Sequence, residues 1–148
     1  MKRTVHAVAG GVAITTVASF MTSTLVAELT GNHSLIVAVK RFILFGLGVL
    51  IPAMAIAGGT GNSLSANRKG RLIDAKRRRM KFIAANGLLI LVPSALVLYR
   101  LASAGSFGVT FVVIQIIELA AGATNVFLLS RMIRDGFRLS GRFRPART

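Results

Sequence analysis

A single carboxylate stands in the middle of a long apolar segment in the C-terminal third of the chain. Glu118 shares one helical face with Gln115, Gly122 and Asn125, because these residues follow one another at steps of three, four and three. A carboxylate deep in a membrane span costs several kcal/mol unless it is paired, protonated or hydrated. The pattern therefore predicts either a site that handles protons or a polar lock between helices, and the sequence leaves both readings open.

Two cations in another apolar segment are the candidate partners of this carboxylate. A rise of about 1.5 Å per residue places Lys40 and Arg41 at a depth from which a long side chain reaches Glu118. We expect Arg41 to be the partner, since a guanidinium forms two-pronged carboxylate pairs and loses its water more easily than an ammonium. The predicted intramembrane polar site consists of Glu118, Gln115, Asn125, Arg41, Lys40 and Asn86.

The two histidines are the residues that would ligate a haem in a membrane bundle. His6 and His33 are 27 residues apart, on the order of 40 Å along a helix, so one chain cannot place both on one haem. A methionine or a second subunit would have to supply the other ligand. The cofactor is therefore left unknown, with haem at His6 or His33 as a minor alternative, and no metal site or catalytic residue is predicted.

Four apolar segments must position these residues. Of the 148 residues, 53% are apolar, and mean hydropathy is +0.68. A hydrocarbon core of about 30 Å needs roughly 20 residues of helix, and the segments that meet this length lie near residues 5–28, 35–58, 81–103 and 107–130. We expect a single domain of the all-α class, an integral membrane bundle of four transmembrane helices.

The connections differ in composition. Gly31 is expected to end the first helix in a left-handed conformation, with Asn32 or Ser34 capping the second. A short link is predicted at 104–106. The glycine-rich start of segment 59–80 is expected to form a cytoplasmic loop, whose basic part extends the third helix outward by a turn or two, and residues 131–148 form a basic tail.

The charges predict the orientation. Of the 19 Lys and Arg residues, all but Lys40, Arg41 and Arg100 precede the first span, lie between the second and third, or follow the fourth. The positive-inside rule then puts both termini in the cytoplasm, in a bacterial-type cytoplasmic (inner) membrane.

The first apolar segment is expected to be a retained helix. Met1, Lys2 and Arg3 before an apolar run also describe a signal peptide. The run is longer than a signal core of about 7 to 15 residues, however, and no Ala-x-Ala site stands out after it.

Small side chains recur at every fourth residue of the first helix, and we call this row the small-residue ridge. Its members are Ala7, Gly11, Thr15, Ser19, Ser23 and Ala27. Small residues let helices approach closely in lipid, where apolar burial gives little drive for association. The ridge is therefore expected to pack either against another helix of this chain or against a second subunit.

Five arginines are predicted to meet anionic lipid head groups, which attract such residues by about 1 kcal/mol per charge. They are Arg77, Arg78, Arg79, Arg134 and Arg138. An acidic protein partner is the alternative, and nucleic acid is not expected because no stacking platform accompanies the charge.

The sequence favours a non-enzymatic membrane component that binds a partner protein or forms a homo-oligomer, with its polar site around Glu118. A small oligomeric proton-coupled transporter is the second interpretation, because carriers of that kind use intramembrane carboxylates. A haem or quinone redox protein is the third.

Overall fold

The computed structural model describes residues 1–65 and 70–139. Over these residues the chain is helical apart from short turns. The elements are α1 (Lys2–Thr30), α2 (His33–Ser65), α3 (Arg71–Asn86), a π-helical segment (Gly87–Leu91), α4 (Val92–Ser103) and α5 (Val109–Leu139).

Four helices in the described residues are long and apolar enough to cross a membrane, as the hydropathy pattern predicted. They are Lys2–Thr30, His33–Leu64, Ile73–Ser103 and Val109–Gly136. The third combines α3, the π-helical segment and α4 in one continuous rod. Large apolar side chains such as Phe45 and Leu89 cover much of the outside, with 77% and 74% of their surface exposed. An outside of this kind fits lipid better than water.

The helices form a four-membered bundle in which neighbours run in opposite directions. Helix α1 packs against α2 and α5, and the rod of α3 and α4 packs against α2 and α5 from the other side. The backbones of α2 and α5 make no close approach to each other, so these two helices face each other diagonally. We call the end with the α1–α2 and α4–α5 connections the turn end, and the opposite end the basic end.

At the turn end, the structure confirms the predicted end of α1 and the predicted cap of α2. Gly31 adopts φ 62° and donates its N–H to the Glu28 carbonyl at 3.1 Å, which ends α1. The Asn32 side chain accepts the Leu35 N–H at 3.1 Å and so caps the first turn of α2. Gly105 takes φ 67° in the second connection. Positive φ costs glycine little, which is why these positions turn the chain.

The middle of the bundle is closed by apolar contacts between α1, α2 and α4. Ala13, Val17 and Phe20 of α1 pack with Ile43 of α2 in the central cluster. A Cβ atom at Gly46 would overlap Cζ of the Phe20 ring. The ring therefore fills the space that the missing side chain of Gly46 leaves on α2.

The expected loop at the start of segment 59–80 was wrong, because α2 continues to Ser65. Each glycine in a helix costs up to about 1 kcal/mol relative to alanine, but here one of them, Gly61, permits close packing. A Cβ at Gly61 would lie 3.0 Å from Cε1 of His6 and 3.3 Å from the Met80 methyl. Tertiary contacts with α1 and α3 thus stabilise a segment whose composition favours a loop.

The basic stretches are more helical than their composition suggested. Helix α3 begins at Arg71, which extends the third span beyond its apolar part as predicted. Helix α5 continues to Leu139, so the expected basic tail at 131–148 is helical over its first part. Residues 66–69 and 140–148 lie outside the described residues.

A π-helical segment interrupts the third span just before Pro93. The Val92 N–H donates to the Gly87 carbonyl, five residues back, where an α-helix would use the carbonyl four residues back. Proline has no N–H and crowds the turn before it, so a local change of helix type is expected there. Such segments are frequent at functional sites.

Candidate functional site

The bundle interior contains an ion pair between the two diagonal helices. The Lys40 ammonium of α2 donates to Oε2 of Glu118 on α5 at 2.7 Å. Only 1% of Lys40 and 9% of Glu118 is exposed. Since the backbones of α2 and α5 do not approach each other, the long lysine side chain bridges the bundle across its centre.

The expectation that Arg41 pairs with Glu118 was wrong. Lys40 lies on the same face of α2 as the buried residues Ile36 and Ile43, whereas Arg41 is turned about 100° away and is exposed. Arg41 instead lies beside the Tyr99 side chain. Lys40 and Arg41 both lie at a depth along α2 from which their side chains could reach Glu118. Only Lys40 lies on the side of α2 that faces the bundle interior.

Two more side chains complete this centre. Gln115, one turn before Glu118, donates its Nε2 to Oε2 of that carboxylate at 3.2 Å. Glu28, near the end of α1, lies within electrostatic range of Lys40 and Glu118 but forms no ion pair with Lys40. We call Glu28, Lys40, Gln115 and Glu118 the polar centre.

The polar centre contains two acceptor atoms that the described residues leave without a hydrogen bond. They are Oε1 of Gln115 and Oε1 of Glu28, and both atoms are buried. A buried acceptor without a donor costs about 1 to 3 kcal/mol. The polar centre is therefore only partly satisfied by the side chains that form it.

A small cavity of about 40 Å³ adjoins the carboxylate of Glu118. Thr24 of α1 and Gly122 of α5 contribute to its wall, and apolar side chains form most of the rest. A water molecule needs roughly 10 to 15 Å³ of such volume. The cavity can thus hold about three or four water-sized groups beside Glu118.

A second polar contact joins α3 to α5 in the half of the bundle nearer the basic end. Asn86 donates its Nδ2 to Oδ1 of Asn125 at 2.8 Å and to the Ala121 carbonyl at 2.9 Å. Asn125 is oriented toward the Ile83 carbonyl, 3.4 Å from its Nδ2. The predicted polar site therefore divides into two groups, because these asparagines hold α3 against α5 and make no hydrogen bond to Glu118.

The basic end holds an ion pair that the sequence analysis did not single out. Asp135 of α5 is buried and pairs with Arg79 of α3. Steps of three and four residues lead from Asn125 through Leu129 and Met132 to Asp135, so the buried face of α5 simply continues. That spacing was the available signal, and it was missed because Asp135 lies beyond the apolar run.

The two histidines occupy opposite ends of the bundle. At the basic end, His6 Nδ1 lies 3.0 Å from the Ala57 carbonyl and 3.2 Å from the Thr60 hydroxyl, which joins α1 to α2. At the turn end, the His33 ring stacks on Phe107 with centroids 4.0 Å apart. Each imidazole thus contacts a neighbouring helix or turn at its own end.

The small-residue ridge does not stay on one side of α1. Four residues correspond to about 400° of a 3.6-residue helix, so each step along the ridge turns it by about 40°. Ala7, Thr15 and Ser19 are exposed, whereas Ala27 is 1% exposed and packs in the core at the turn end. The middle of the ridge borders a shallow, open groove on the outside of α1, between Ile14 and Val26, and every residue that lines it belongs to α1.

The arginines predicted to meet lipid have different surroundings. Arg78 and Arg134 are exposed at the basic end, while Arg79 is partly buried against Asp135. Arg77 is half-buried and interacts with another group of the protein. The side chain of Arg138 lies outside the described residues.

No family model, curated protein or solved structure matches the chain.

Apart from the bond between Gln115 and Glu118 within α5, the interior polar contacts described above join different helices. Lys40 and Glu118 tie α2 to α5, the two asparagines tie α3 to α5, and His6 ties α1 to α2. In lipid, apolar burial contributes little to helix association, so polar contacts between helices contribute more of the stabilisation. The arrangement is therefore suited first to fixing the relative positions of the four helices.

Proposed function

We propose that this chain is a non-enzymatic membrane component whose exposed face on α1 binds a transmembrane helix of another protein subunit. The polar centre fixes the four-helix frame, and the groove beside Thr15 and Ser19 provides the contact. The exposed position of these residues is the observation that carries the proposal. Small and hydroxyl-bearing residues are enriched where transmembrane helices meet.

Several contacts support the division between an inner and an outer face of α1. The core-forming side chains Ala13, Val17 and Phe20 lie on the side opposite the groove. Gly11 faces open space, since a Cβ there would meet nothing within 4 Å. The hydroxyl of Thr22 bonds back to the Ala18 carbonyl at 2.9 Å, so its polar atom is satisfied within α1. A partner helix can thus approach without leaving this hydroxyl unpaired.

We place the protein in a bacterial-type cytoplasmic membrane with both termini in the cytoplasm. The basic end gathers the cations before α1, those of α3 and those of α5, as the positive-inside rule requires of the cytoplasmic side. Lys40, one of the few cations elsewhere, is neutralised by Glu118. The exposed Arg78 and Arg134 would then meet anionic head groups of the inner leaflet.

The proposal is tested by site-specific photocrosslinking in membranes. A photoreactive amino acid replaces Ser19 in the groove, or Phe45 on the exposed face of α2 as a control. The two positions lie at similar distances from the α1–α2 turn. We expect a product of one defined mass from the Ser19 site and none from the Phe45 site.

A second substitution makes the test specific for the face. Gly11→Leu adds a bulky side chain to the ridge at a position where a Cβ atom meets nothing within 4 Å, so it should abolish the Ser19 product and leave thermal stability nearly unchanged. A crosslinked product at twice the mass of the chain would show that the bound partner is a second copy of this chain. Equal labelling at Ser19 and Phe45 would refute the proposal.

A small oligomeric proton-coupled transporter is the second candidate, and the cavity beside Glu118 favours it. Carriers of this kind place an ionisable group beside a hydrated space near a broken or kinked helix, and the π-helical segment interrupts the third span. Solute flux into vesicles that depends on a pH gradient, and is lost in Glu118→Gln, would establish this function. Absence of flux across a panel of solutes would leave the partner-binding proposal as the better one.

A further inference from the structure

The cavity of about 40 Å³ beside Glu118 lies inside the bundle, and its wall is mostly apolar. Side chains such as Leu47 of α2, Leu91 of the π-helical segment and Ala95 of α4 form this wall. Among the described residues that border the cavity, Glu118 and Thr24 carry the polar side chains. They belong to α5 and α1, which pack against each other. The cavity thus places two polar groups within an apolar shell.

The carboxylate of Glu118 has one oxygen without a donor in the described part of the chain. The bonds from Lys40 Nζ at 2.7 Å and from Gln115 Nε2 at 3.2 Å both end on Oε2. Oε1 receives no hydrogen bond from the described residues, although only 9% of Glu118 is exposed. Each oxygen of a carboxylate accepts about two hydrogen bonds. A donor for Oε1 must therefore come from a group outside the described side chains.

The hydroxyl of Thr24 is also without a partner among the described residues. Other threonines of α1, namely Thr16, Thr22 and Thr30, donate to a carbonyl three or four residues earlier in the same helix. Such bonds within the helix satisfy the hydroxyl locally. Thr24 makes no bond of this kind, and yet it is only 2% exposed. Its hydroxyl is therefore available to a group in the cavity that it borders.

We infer that the cavity is a water-binding site, in which a cluster of up to about four waters joins the Glu118 carboxylate to the Thr24 hydroxyl. Water fits both groups, since it donates to a carboxylate and exchanges hydrogen bonds with a hydroxyl. A lipid acyl chain would fill the space but leave both polar groups unpaired, which is unfavourable. The inference goes beyond the partner contact on α1 and is independent of it, because no residue borders both the cavity and the groove.

The test is water-edited solid-state NMR of the isotope-labelled full-length chain in lipid bilayers, in which magnetisation passes from water protons to nearby protein atoms. Gly122 borders the cavity, and its Cα is the probe. Leu98 is 0% exposed and lies away from the cavity wall, so it is the dry reference. We expect the Gly122 signal to build up at least about twofold faster than the Leu98 signal. Equally slow build-up at both would overturn the site, as would magnetisation transfer to Gly122 from lipid acyl protons, which would assign the cavity to an acyl chain.

A first variant tests the hydroxyl. Thr24→Val keeps the shape of the side chain but removes its hydrogen-bonding group, so it should slow the build-up at Gly122 at least about twofold. Thr16→Val is the matched control on the same helix, because that hydroxyl donates to the Val12 carbonyl at 2.8 Å. It should leave the build-up at Gly122 unchanged. Equal build-up in the two variants would overturn the assignment of Thr24 to the site.

A second variant tests the carboxylate. Glu118→Leu combined with Lys40→Met removes the carboxylate without leaving the lysine unpaired, and the build-up at Gly122 should fall to that at Leu98, because apolar cavities stay dry. Unchanged chemical shifts of Leu98 report that this variant is folded. Build-up at Gly122 that stays as fast as in the unmodified chain would overturn the inference, since the water would then not be held by Glu118.

Discussion

Lys40 Nζ and Glu118 Oε2 lie 2.7 Å apart and join two helices whose backbones do not touch. The lysine side chain thus provides a link that backbone packing between α2 and α5 does not. Each partner needs the other, because removing one leaves a buried charge without compensation. Stability should therefore depend on the pair rather than on either residue.

The first prediction tests this dependence. Glu118→Leu or Lys40→Met alone should lower the free energy of unfolding by about 3 to 5 kcal/mol. The double variant should recover a large part of the loss, since no unpaired charge remains. Reversible unfolding in mixed micelles measures these values, and Arg41→Met at the neighbouring exposed position serves as the control, with an effect below about 1 kcal/mol. Additive losses in the double variant would mean that the two charges do not stabilise each other.

The second prediction concerns the contact of Phe20 with Gly46. Gly46→Ala places a methyl group where the ring lies, and we expect a loss of about 1 to 3 kcal/mol as α1 and α2 are forced apart. Gly48→Ala, two residues further along the same helix, meets nothing within 4 Å and should be neutral or slightly stabilising. Melting temperatures of the two variants are compared, and similar values for both would contradict the contact.

The third prediction concerns the asparagine contact between α3 and α5. Asn86→Leu removes both donated hydrogen bonds and leaves Oδ1 of Asn125 buried without that donor, so we expect a loss of about 1 to 3 kcal/mol. Thr124→Val is the control, because that hydroxyl is exposed and bonds only within α5. Amide hydrogen exchange should also speed up in the π-helical segment that follows Asn86. Unchanged exchange there would show that the contact does not support the segment.

The fourth prediction tests orientation. A reporter active only in the cytoplasm should work when fused after Thr148 or inserted at Asn67, and it should fail when inserted at Asn32 in the α1–α2 turn. A reporter active only outside should give the reverse pattern. External activity at Asn67 would overturn the proposed topology.

Much of the fold could be predicted because it depends on local pattern. Hydropathy gives the four long helices, and Gly31 and Asn32 have the conformation and the cap that their types favour. The extension of α2 past Gly58 could not be predicted from composition, since contacts with His6 and Met80 from other helices stabilise it.

The candidate site was predictable only in part. Glu118 was identified from its neighbours on one face, but the choice of Arg41 considered depth and ignored rotation about the helix axis. Lys40 lies four residues after Ile36 and three before Ile43, and this helical spacing places it on the same buried face of α2. Glu28 lies outside any local pattern with Glu118, because the two come within electrostatic range only when α1 packs beside α5.

The diagonal bond has a consequence for biogenesis. Lys40 is synthesised 78 residues before Glu118, so in the proposed topology the α1–α2 hairpin reaches the membrane while its lysine lacks the carboxylate that it later bonds. Until α5 arrives, that hairpin carries an ammonium without its hydrogen-bonded partner, which we expect quality-control proteases to recognise. A nascent chain truncated before Glu118 should accordingly be degraded faster than the same truncation carrying Lys40→Met.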